Sequence, residues 1–472
     1  MSKQAKIMAV LLVLALCAVT QADDLLVPAK YPTIQDAIND CNDGDTVIID
    51  PNTYTGPGNR DIDFLGKAIT VRSTDPNDPN IVAATIIDCN GTETEPHRGF
   101  RFWQGEDANS VVAGLTIING YAPLMPGHRT PIGGAIYCVN SSPTIRQCVI
   151  RDNLAGVGGG IYCGESESII SNCEITGNSA RYGGGIRLYS CQSDISNCLI
   201  TDNTAWERNG GGVIISWGDA AITNCTISNN VADRRISGGM YCDEATVTIT
   251  NCIFWDNSPS EISEGPGGNA TATYCDIKGG WPGEGNIESD PCFVKPGYWD
   301  VNSVWVEGDY HLLRTSPCVD AGNDANVYTD IEGNIRPFDF PGVDNNGELP
   351  EFDMGAYELV PVEAAMKLTP QMVNCRGKGK YVKAHITLPE GFLPEDVDVN
   401  APAVAEPMGA YSEYIKVLGA GTGLVRLEIT FDREAFCAQI TETGEIEITV
   451  IGSLTTSRYF YATDTIKMKP RR

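Results

Sequence analysis

One phrase is written five times between residues 133 and 257, and it constrains the fold more than any other feature of the sequence. In its clearest copy a glycine triplet at residues 158–160 leads into Ile161-Tyr162-Cys163. The second cysteine of the phrase recurs at Cys148, Cys173, Cys198, Cys225 and Cys252, in steps of 25, 25, 27 and 27 residues. Periods of about 20 to 50 residues are typical of stacked repeats. The sequence therefore predicts a solenoid.

Each copy also predicts which side chains fill the solenoid. Strand alternation places Ile161 and Cys163 inward and Tyr162 outward. Coils about 4.8 Å apart hold equivalent side chains parallel, which does not suit a disulfide, so we expect buried thiols at the repeat cysteines. An asparagine recurs at the next bend, where we expect a left-handed conformation and hydrogen bonds between stacked copies. These residues are Asn153, Asn178, Asn203, Asn230 and Asn257.

The first 22 residues have the pattern of a signal peptide. Lys3 and Lys6 precede the apolar run Met8–Val19, and small residues then favour cleavage after Ala22. The run is too short for a transmembrane helix, which needs about 20 apolar residues. We therefore predict an exported protein, secreted or at the cell surface, without a transmembrane segment.

The net charge of −28 limits the partners. A field of this sign repels phosphate backbones and anionic membrane surfaces, which argues against nucleic acid. It also argues against strongly polyanionic glycans unless cations bridge. Solubility of an extracellular protein is the simpler explanation of the charge.

Two stretches resemble known families. Residues 31–38 (Tyr-Pro-Thr-Ile-Gln-Asp-Ala-Ile), followed by Gly44-Asp45-Thr46-Val47, resemble the opening of secreted right-handed parallel β-helix proteins, including pectinesterases. The repeat itself is similar to polymorphic outer-membrane proteins and adhesins, and to the pectin-lyase-like β-helix. Both resemblances imply a fold, because this scaffold serves lyases, hydrolases, esterases and adhesins.

The period ends near residue 290, and two further regions follow. Residues 291–360 contain Ser316-Pro317-Cys318 and Asp353-Met354-Gly355, and the region resembles the choice-of-anchor Q region of surface-associated β-helix proteins. Residues 361–472 alternate apolar and polar positions between glycine and proline turns, which predicts an immunoglobulin-like antiparallel β-sandwich. Cys375 and Cys437 are the candidates for one disulfide there.

The predicted fold is therefore all-β. A signal peptide (1–22) precedes a right-handed parallel β-helix (23–290), a single-stranded solenoid of about ten coils with an N-terminal helical cap. A terminal cap region (291–360) and a small antiparallel β-sandwich (361–472) follow.

Folding does not explain one outward position of the repeat, which carries Tyr137, Tyr162, Arg187, Ile214 and Tyr241. Spaced by one coil, aromatic rings and a guanidinium would form a flat strip on which sugar rings stack, with Trp206 and Trp217 nearby. Tyrosines packing along their own ladder explain the pattern equally well. Our predicted ligand-binding residues are Tyr137, Tyr162, Arg187, Tyr241, Trp206 and Trp217.

Other chemistries have weaker signals. The sequence has no Cys-x-x-Cys or His-Glu-x-x-His zinc motif and no Gly-x-Ser-x-Gly elbow. Lyases of this fold use a basic residue beside a uronate carboxyl, for which Arg187 is the candidate. Calcium could bind the acidic residues of the terminal region, although solvated loops explain them as well. These are Asp320, Asp324, Asp330, Asp339, Asp344 and Asp353.

We therefore predict a non-catalytic exported protein that binds an extracellular polysaccharide or a cell-surface component through the outward column, without a cofactor. The competing hypothesis is a polysaccharide lyase or glycoside hydrolase with Arg187 at its site.

Overall fold

A computed structural model describes residues 22–122, 131–207, 209–233, 237–301, 305–343, 352–418, 423–438 and 443–469. Almost all of the predicted signal peptide lies outside these residues. The chain divides into two compact units. The first takes Met1–Ile222, Ile227–Thr248 and Asp256–Ala270, and the second takes Thr223–Thr226, Ile249–Trp255 and Thr271–Arg472.

The sheet that carries the outward column is parallel throughout and adds one strand per coil. We call it the ladder sheet, and all of it belongs to the first unit. Its strands, in both chain and spatial order, are Ile62–Asp63, Phe100–Phe102, Ile136–Val139, Ile161–Gly164, Ile186–Tyr189, Val213–Ser216, Met240–Asp243 and Ile262–Glu264. Such sequential parallel stacking is the predicted parallel β-helix.

Three further parallel sheets complete the coils. One begins Asp24–Val27, Thr46–Ile49, Thr70–Ser73, Val111–Ala113, Thr144–Arg146, Ile169–Ser171 and Gln192–Ser196. Another begins Asn52–Tyr54, Thr85–Asp88, Thr116–Ile118, Val149–Arg151, Glu174–Thr176 and Leu199–Thr201. A short one comprises Leu154–Val157, Ser179–Tyr182, Thr204–Ala205 and Val231–Ala232. Later strands are Asp219–Thr223, Thr226–Ser228, Thr246–Thr250, Ile253–Trp255, Asn269–Thr273 and Asp276–Ile277.

Inward columns of identical or similar residues fill the coils. Ile136, Ile161 and Ile186 lie in register and are fully buried. The cysteines of the repeat are buried thiols, as predicted, and burial raises the pKa of the Cys242 thiol to about 11. The buried column is continuous, so each coil stabilises its neighbours.

The conformational part of the asparagine prediction was wrong. None of the five recurring asparagines is among the residues with positive φ; the residue just before each one is left-handed. Those preceding residues are Asp152, Gly177, Asp202, Asn229 and Asp256, with φ of 58°, 63°, 55°, 58° and 60°. The asparagines themselves are buried and hydrogen-bond to each other, which confirms the other half of the prediction.

A helix caps the N-terminal coil, as the sequence predicts. It spans Ile34–Asp40, and the Thr33 side chain accepts a hydrogen bond from the backbone N–H of Asp36. Ile34, Ala37 and Ile38 are fully buried, so the helix covers the open apolar end of the first coil. A second short helix spans Pro79–Ala84.

The second unit ends in a mostly antiparallel closed sheet. Its eight strands are Val362–Thr369, Met372–Asn374, Tyr381–Thr387, Val404–Glu406, Ala410–Leu418, Arg426–Asp432, Gly444–Ser453 and Tyr459–Lys469. The predicted antiparallel β-sandwich is thus one sheet that closes on itself, because Val362–Thr369 pairs in parallel with Tyr459–Lys469. The predicted disulfide between Cys375 and Cys437 is present. A 3-10 helix (Pro394–Asp396) and a short α-helix (Arg433–Phe436) connect strands.

Before the closed sheet, the second unit contains short antiparallel pairs and irregular chain. Phe293–Lys295 pairs with Asp309–Leu312, and Tyr298–Trp299 pairs with Trp305–Val306. The domain divisions at residues 290 and 360 and the choice-of-anchor resemblance stay predictions.

Candidate functional site

The ladder sheet aligns the predicted outward column, one residue per coil. Tyr137 pairs with Tyr162, Tyr162 with Arg187, Arg187 with Ile214, and Ile214 with Tyr241. The register also extends the column in both directions, to Arg101 and Asp63 on one side and to Ser263 on the other. We call these eight residues the ladder column.

The ladder column is not the flat exposed strip that the sequence suggested. Tyr137 is 5% exposed and Ile214 only 3%. Each is covered by the glycine turn that precedes its strand: a Cβ on Gly210 would lie 2.1 Å from Cγ1 of Ile214. The guanidinium of buried Arg98 also lies 4.8 Å from the centre of the Tyr137 ring. Tyr137 therefore offers little surface to a ligand.

The two neighbouring tyrosines pack on each other, as the simpler explanation of the column requires. Their rings are stacked, with centroids 6.0 Å apart and an interplanar angle of 10°. Burial raises the pKa of the Tyr162 hydroxyl to about 12. This pair stabilises the sheet whether or not a ligand binds.

Polar groups converge on Arg187, at the middle of the ladder sheet. Its Nη1 donates to Oγ of Ser216 (2.8 Å), and that hydroxyl donates to Oδ1 of Asp243. The guanidinium carbon lies 5.7 Å from the centre of the Tyr189 ring. Burial lowers the pKa of Arg187, and Asp243 acts in the opposite direction. An arginine and a carboxylate joined through a hydroxyl make a locally neutral cluster rich in hydrogen-bonding groups.

Two exposed aromatic residues border this cluster. Tyr189, 40% exposed, ends its ladder strand one coil from Ser216, its partner in the register. Trp217 follows Ser216 directly and is 57% exposed. Exposed rings beside hydrogen-bonding groups are the usual composition of a sugar-binding surface.

Trp206 is not part of the same corner. It follows the strand Thr204–Ala205 and precedes the ladder strand Val213–Ser216, whereas Trp217 follows that strand. Its backbone N–H donates to the carbonyl of Ala180 (3.0 Å), and its ring is partly exposed. The two tryptophans therefore lie at opposite ends of one ladder strand.

A second polar cluster, which we did not predict from the sequence, lies at the first coils. Buried Asp63 pairs with Arg101 (2.9 Å) and accepts hydrogen bonds from Nε1 of Trp103 (3.1 Å) and Nε2 of Gln104 (3.0 Å). Trp103 is exposed on the same sheet. This alignment could not be predicted from the repeat period. The steps from Asp63 to Arg101 and from Arg101 to Tyr137 are 38 and 36 residues, which is longer than the period.

The simpler explanation of the acidic residues in the terminal region was that they are solvated. It is wrong for three of them. Asp320, Asp330 and Asp353 are buried, and Asp330 accepts hydrogen bonds from Asn334 and from the backbone of Glu358. Burial raises the pKa of Asp353 to about 6. Asp344 lies outside the described residues. Among the residues that are described, no group of three or more His, Cys, Asp or Glu side chains is arranged to hold a metal ion.

No helix within the described part of the chain is both long and apolar enough to cross a membrane.

Comparison with known proteins supports the fold. A family model described as a right handed beta helix region matches residues 37–193 and again residues 134–288. Together the two matches span more than half of the chain. No curated protein matches the chain.

Proposed function

Since the chain belongs to the right-handed β-helix family, we propose that it binds an extracellular carbohydrate, without catalysis, at the Trp217 corner of the ladder sheet. This binding surface comprises Trp217, Tyr189, Arg187 and Asp243, and the buried hydroxyl of Ser216 links the last two. The protein would act after export, in the extracellular space or on the cell surface.

The observation that carries the proposal is the conformation of Trp217. Five of the eight ladder strands are followed by a left-handed residue, and besides Trp217 these residues are Asn140, Glu165, Ser190 and Glu244. Trp217 has φ of 60°, which costs a bulky residue about 1–2 kcal/mol. More than half of its surface is exposed, so burial does not offset that cost. The coil requires a left-handed residue here but not a tryptophan, and strain of this kind is typical of functional residues.

The surrounding groups favour a neutral sugar. An aromatic face stacks on the apolar face of a pyranose ring, while the carboxylate of Asp243, which is only partly buried, accepts hydrogen bonds from its hydroxyl groups. The charges of Arg187 and Asp243 oppose each other, and exposed Glu244 holds the same corner one coil further on, so the corner has no positive charge with which to attract an anionic ligand. The disulfide of the closed sheet supports export, because disulfides persist in oxidising compartments.

A glycan array probed with wild-type protein and Trp217→Asn tests the proposal. Asparagine suits the left-handed corner, so the variant should fold at least as well as wild type while losing the ring. We expect wild type to bind neutral glycans and the variant to lose at least 90% of that signal. Tyr411→Asn, which removes an exposed ring from the closed sheet, is the matched control and should bind normally. Equal binding by wild type and Trp217→Asn would contradict the proposal.

A polysaccharide lyase or glycoside hydrolase is the second candidate. It is favoured by the position of Arg187 at the middle of the ladder sheet, linked through Ser216 to the carboxylate of Asp243, since a lyase needs a basic residue beside the scissile uronate. Incubation with extracellular polysaccharides, followed by assays for reducing ends and for unsaturated uronates, separates the two candidates. Products made by wild type and absent with Arg187→Lys would favour the enzyme. Binding without products would favour the carbohydrate-binding protein.

A further inference from the structure

The net charge of the chain is distributed unevenly. Residues 361–472 contain 13 Lys and Arg and 14 Asp and Glu, which leaves a charge of −1, whereas the whole chain carries −28. The expectation that the protein repels polyanions therefore applies to the rest of the chain and not to the closed sheet. An average over the whole sequence concealed this difference.

Cations of the closed sheet gather at one end, around a turn fixed by the disulfide. The turn follows Cys375, whose partner Cys437 directly follows the short helix that begins at Arg433. The backbone N–H of Cys375 donates to the carbonyl of Lys469 (2.9 Å), and Met372 pairs with Lys467. The cations collected there are Arg376, Lys378, Lys380, Arg433, Lys467 and Lys469. We call this set the basic end.

The glycines of the turn allow Arg433 to join the basic end. A Cβ on Gly377 would lie 2.8 Å from Nη1 of Arg433, and one on Gly379 would lie 2.5 Å from Nη2. Nη1 also donates to the carbonyl of Asn374 (3.2 Å). The guanidinium is thus held against the turn, while Lys378 and Lys380 remain exposed.

Contacts with the preceding segment of the second unit occur at the other end of the closed sheet. Arg314 pairs with Glu406 (3.0 Å), and Arg458 pairs with Glu332 (3.1 Å). From Lys467 to Tyr459 the last strand spans eight residues, or about 26 Å at about 3.3 Å per residue. This is about three Debye lengths at physiological ionic strength. Charges at that other end are therefore screened from a ligand at the basic end.

We propose that the basic end is a second binding site, which takes a flexible anionic polysaccharide. Acidic side chains lie among the cations: Glu445 pairs with Lys467 (3.2 Å), and Asp432 caps the short helix. A planar anionic membrane would have to face these carboxylates together with the cations. A flexible chain can pass around them and contact the cations one by one, so the arrangement favours a polymer over a bilayer.

Binding of full-length protein to immobilised polygalacturonate, a polyuronate, tests this site. We expect retention at 50 mM NaCl that is lost on raising the salt, as for any ligand held by ion pairs. The double variant Lys378→Gln/Lys380→Gln should bind about tenfold more weakly. The control is the double variant Lys30→Gln/Lys295→Gln, which removes the same charge from exposed positions elsewhere. Lys30, like Lys380, lies over a neighbouring tyrosine ring. This variant should bind as wild type does.

Other outcomes overturn the proposal. Equal weakening in the two double variants would show that only net charge matters. Retention on vesicles of anionic lipid without retention on the polyuronate would assign the basic end to a membrane. Trp217→Asn should leave polyuronate binding intact. Loss of binding in that variant would place the polymer at the ladder sheet and remove the need for a second site.

Discussion

The asparagine column of the first unit and an ion pair of the second unit bury polar groups in different ways. In the first unit, five asparagines form a column in which Nδ2 of each donates to Oδ1 of the next, at 2.9–3.0 Å. The asparagines are neutral, and from Asn153 to Asn230 the partner is a copy of the same residue; the last one, Asn257, donates to the buried carboxylate of Glu261. In the second unit the buried groups are ionisable and unlike. Arg336 pairs with Glu358 at 3.2 Å, and both side chains have no exposed surface.

This difference explains which polar residues the sequence reveals. An asparagine bonded to its own copy must recur in every coil, so its role is visible as a period. Arg336 and Glu358 pair with each other from positions that no repeat relates, so no regular spacing in the sequence indicates the pair. The difference also predicts that burial is insensitive to pH in the asparagine column and sensitive to pH at the pair of Arg336 and Glu358.

The largest expected effect is at the buried ion pair. Arg336→Met should destabilise the second unit by about 3–5 kcal/mol at pH 8, because it leaves buried carboxylates without their cation. Burial raises the pKa of Glu358 and of its neighbour Asp353, so both protonate readily, and the cost should shrink at pH 5. Urea unfolding at the two pH values measures this. Arg458→Met, which breaks an exposed pair, is the control and should cost at most about 1 kcal/mol.

A similar but slightly smaller effect is expected in the asparagine column. Asn203→Leu leaves the N–H groups of Asn178 and the carbonyl of Ile175 without their partner, and removes one of the two donors to Oδ1 of Asn230. At about 1–3 kcal/mol for a buried unsatisfied group, the total loss should reach at least about 3 kcal/mol. That loss should be the same at pH 5 and pH 8, in contrast to Arg336→Met. Asn140→Gly, at an exposed left-handed corner, should change stability by only a few tenths of a kcal/mol.

His311 provides a smaller, pH-dependent test of the second unit. Burial lowers its pKa, but hydrogen bonds to Asp309 and Glu332 outweigh burial and raise the pKa to about 9. A raised histidine pKa stabilises the folded state fully below about pH 6.5, and this stabilisation is lost as the pH rises through about 9. We expect a loss of about 1–3 kcal/mol over that interval. His311→Gln should flatten the profile, and an unchanged profile would refute the assignment.

The ladder column was only partly predictable from the sequence, unlike the asparagine column, which was visible as a period, and the buried ion pair, which was not. Its alignment was predictable because Tyr137, Tyr162 and Arg187 repeat at the period of the coils. The burial of Tyr137 was not, since Arg98, one of the groups that cover it, lies 39 positions earlier in the chain. The strain at Trp217 was equally hidden, because only backbone geometry shows that its corner must be left-handed.

The all-β class, the helical cap and the antiparallel strands of the closed sheet could be predicted from local sequence patterns. The polar cluster of Asp63, Arg101 and Trp103 did not, because the first coils are irregular in length. The convergence of Ser216 and Asp243 on Arg187 depends on side-chain direction across two coils. The spacing of residues in the sequence predicts which of them align in one column, but not which side chains each of them contacts.

The variant Trp217→Asn gives the most direct test of the proposed function. Calorimetric titration with a glycan selected on the array, together with urea unfolding, measures affinity and stability in the same two proteins. We predict that affinity falls at least tenfold, or about 1.4 kcal/mol, while the free energy of unfolding stays within about 0.5 kcal/mol of wild type or rises. A variant that binds the glycan as tightly as wild type would contradict the assignment of carbohydrate binding to this corner.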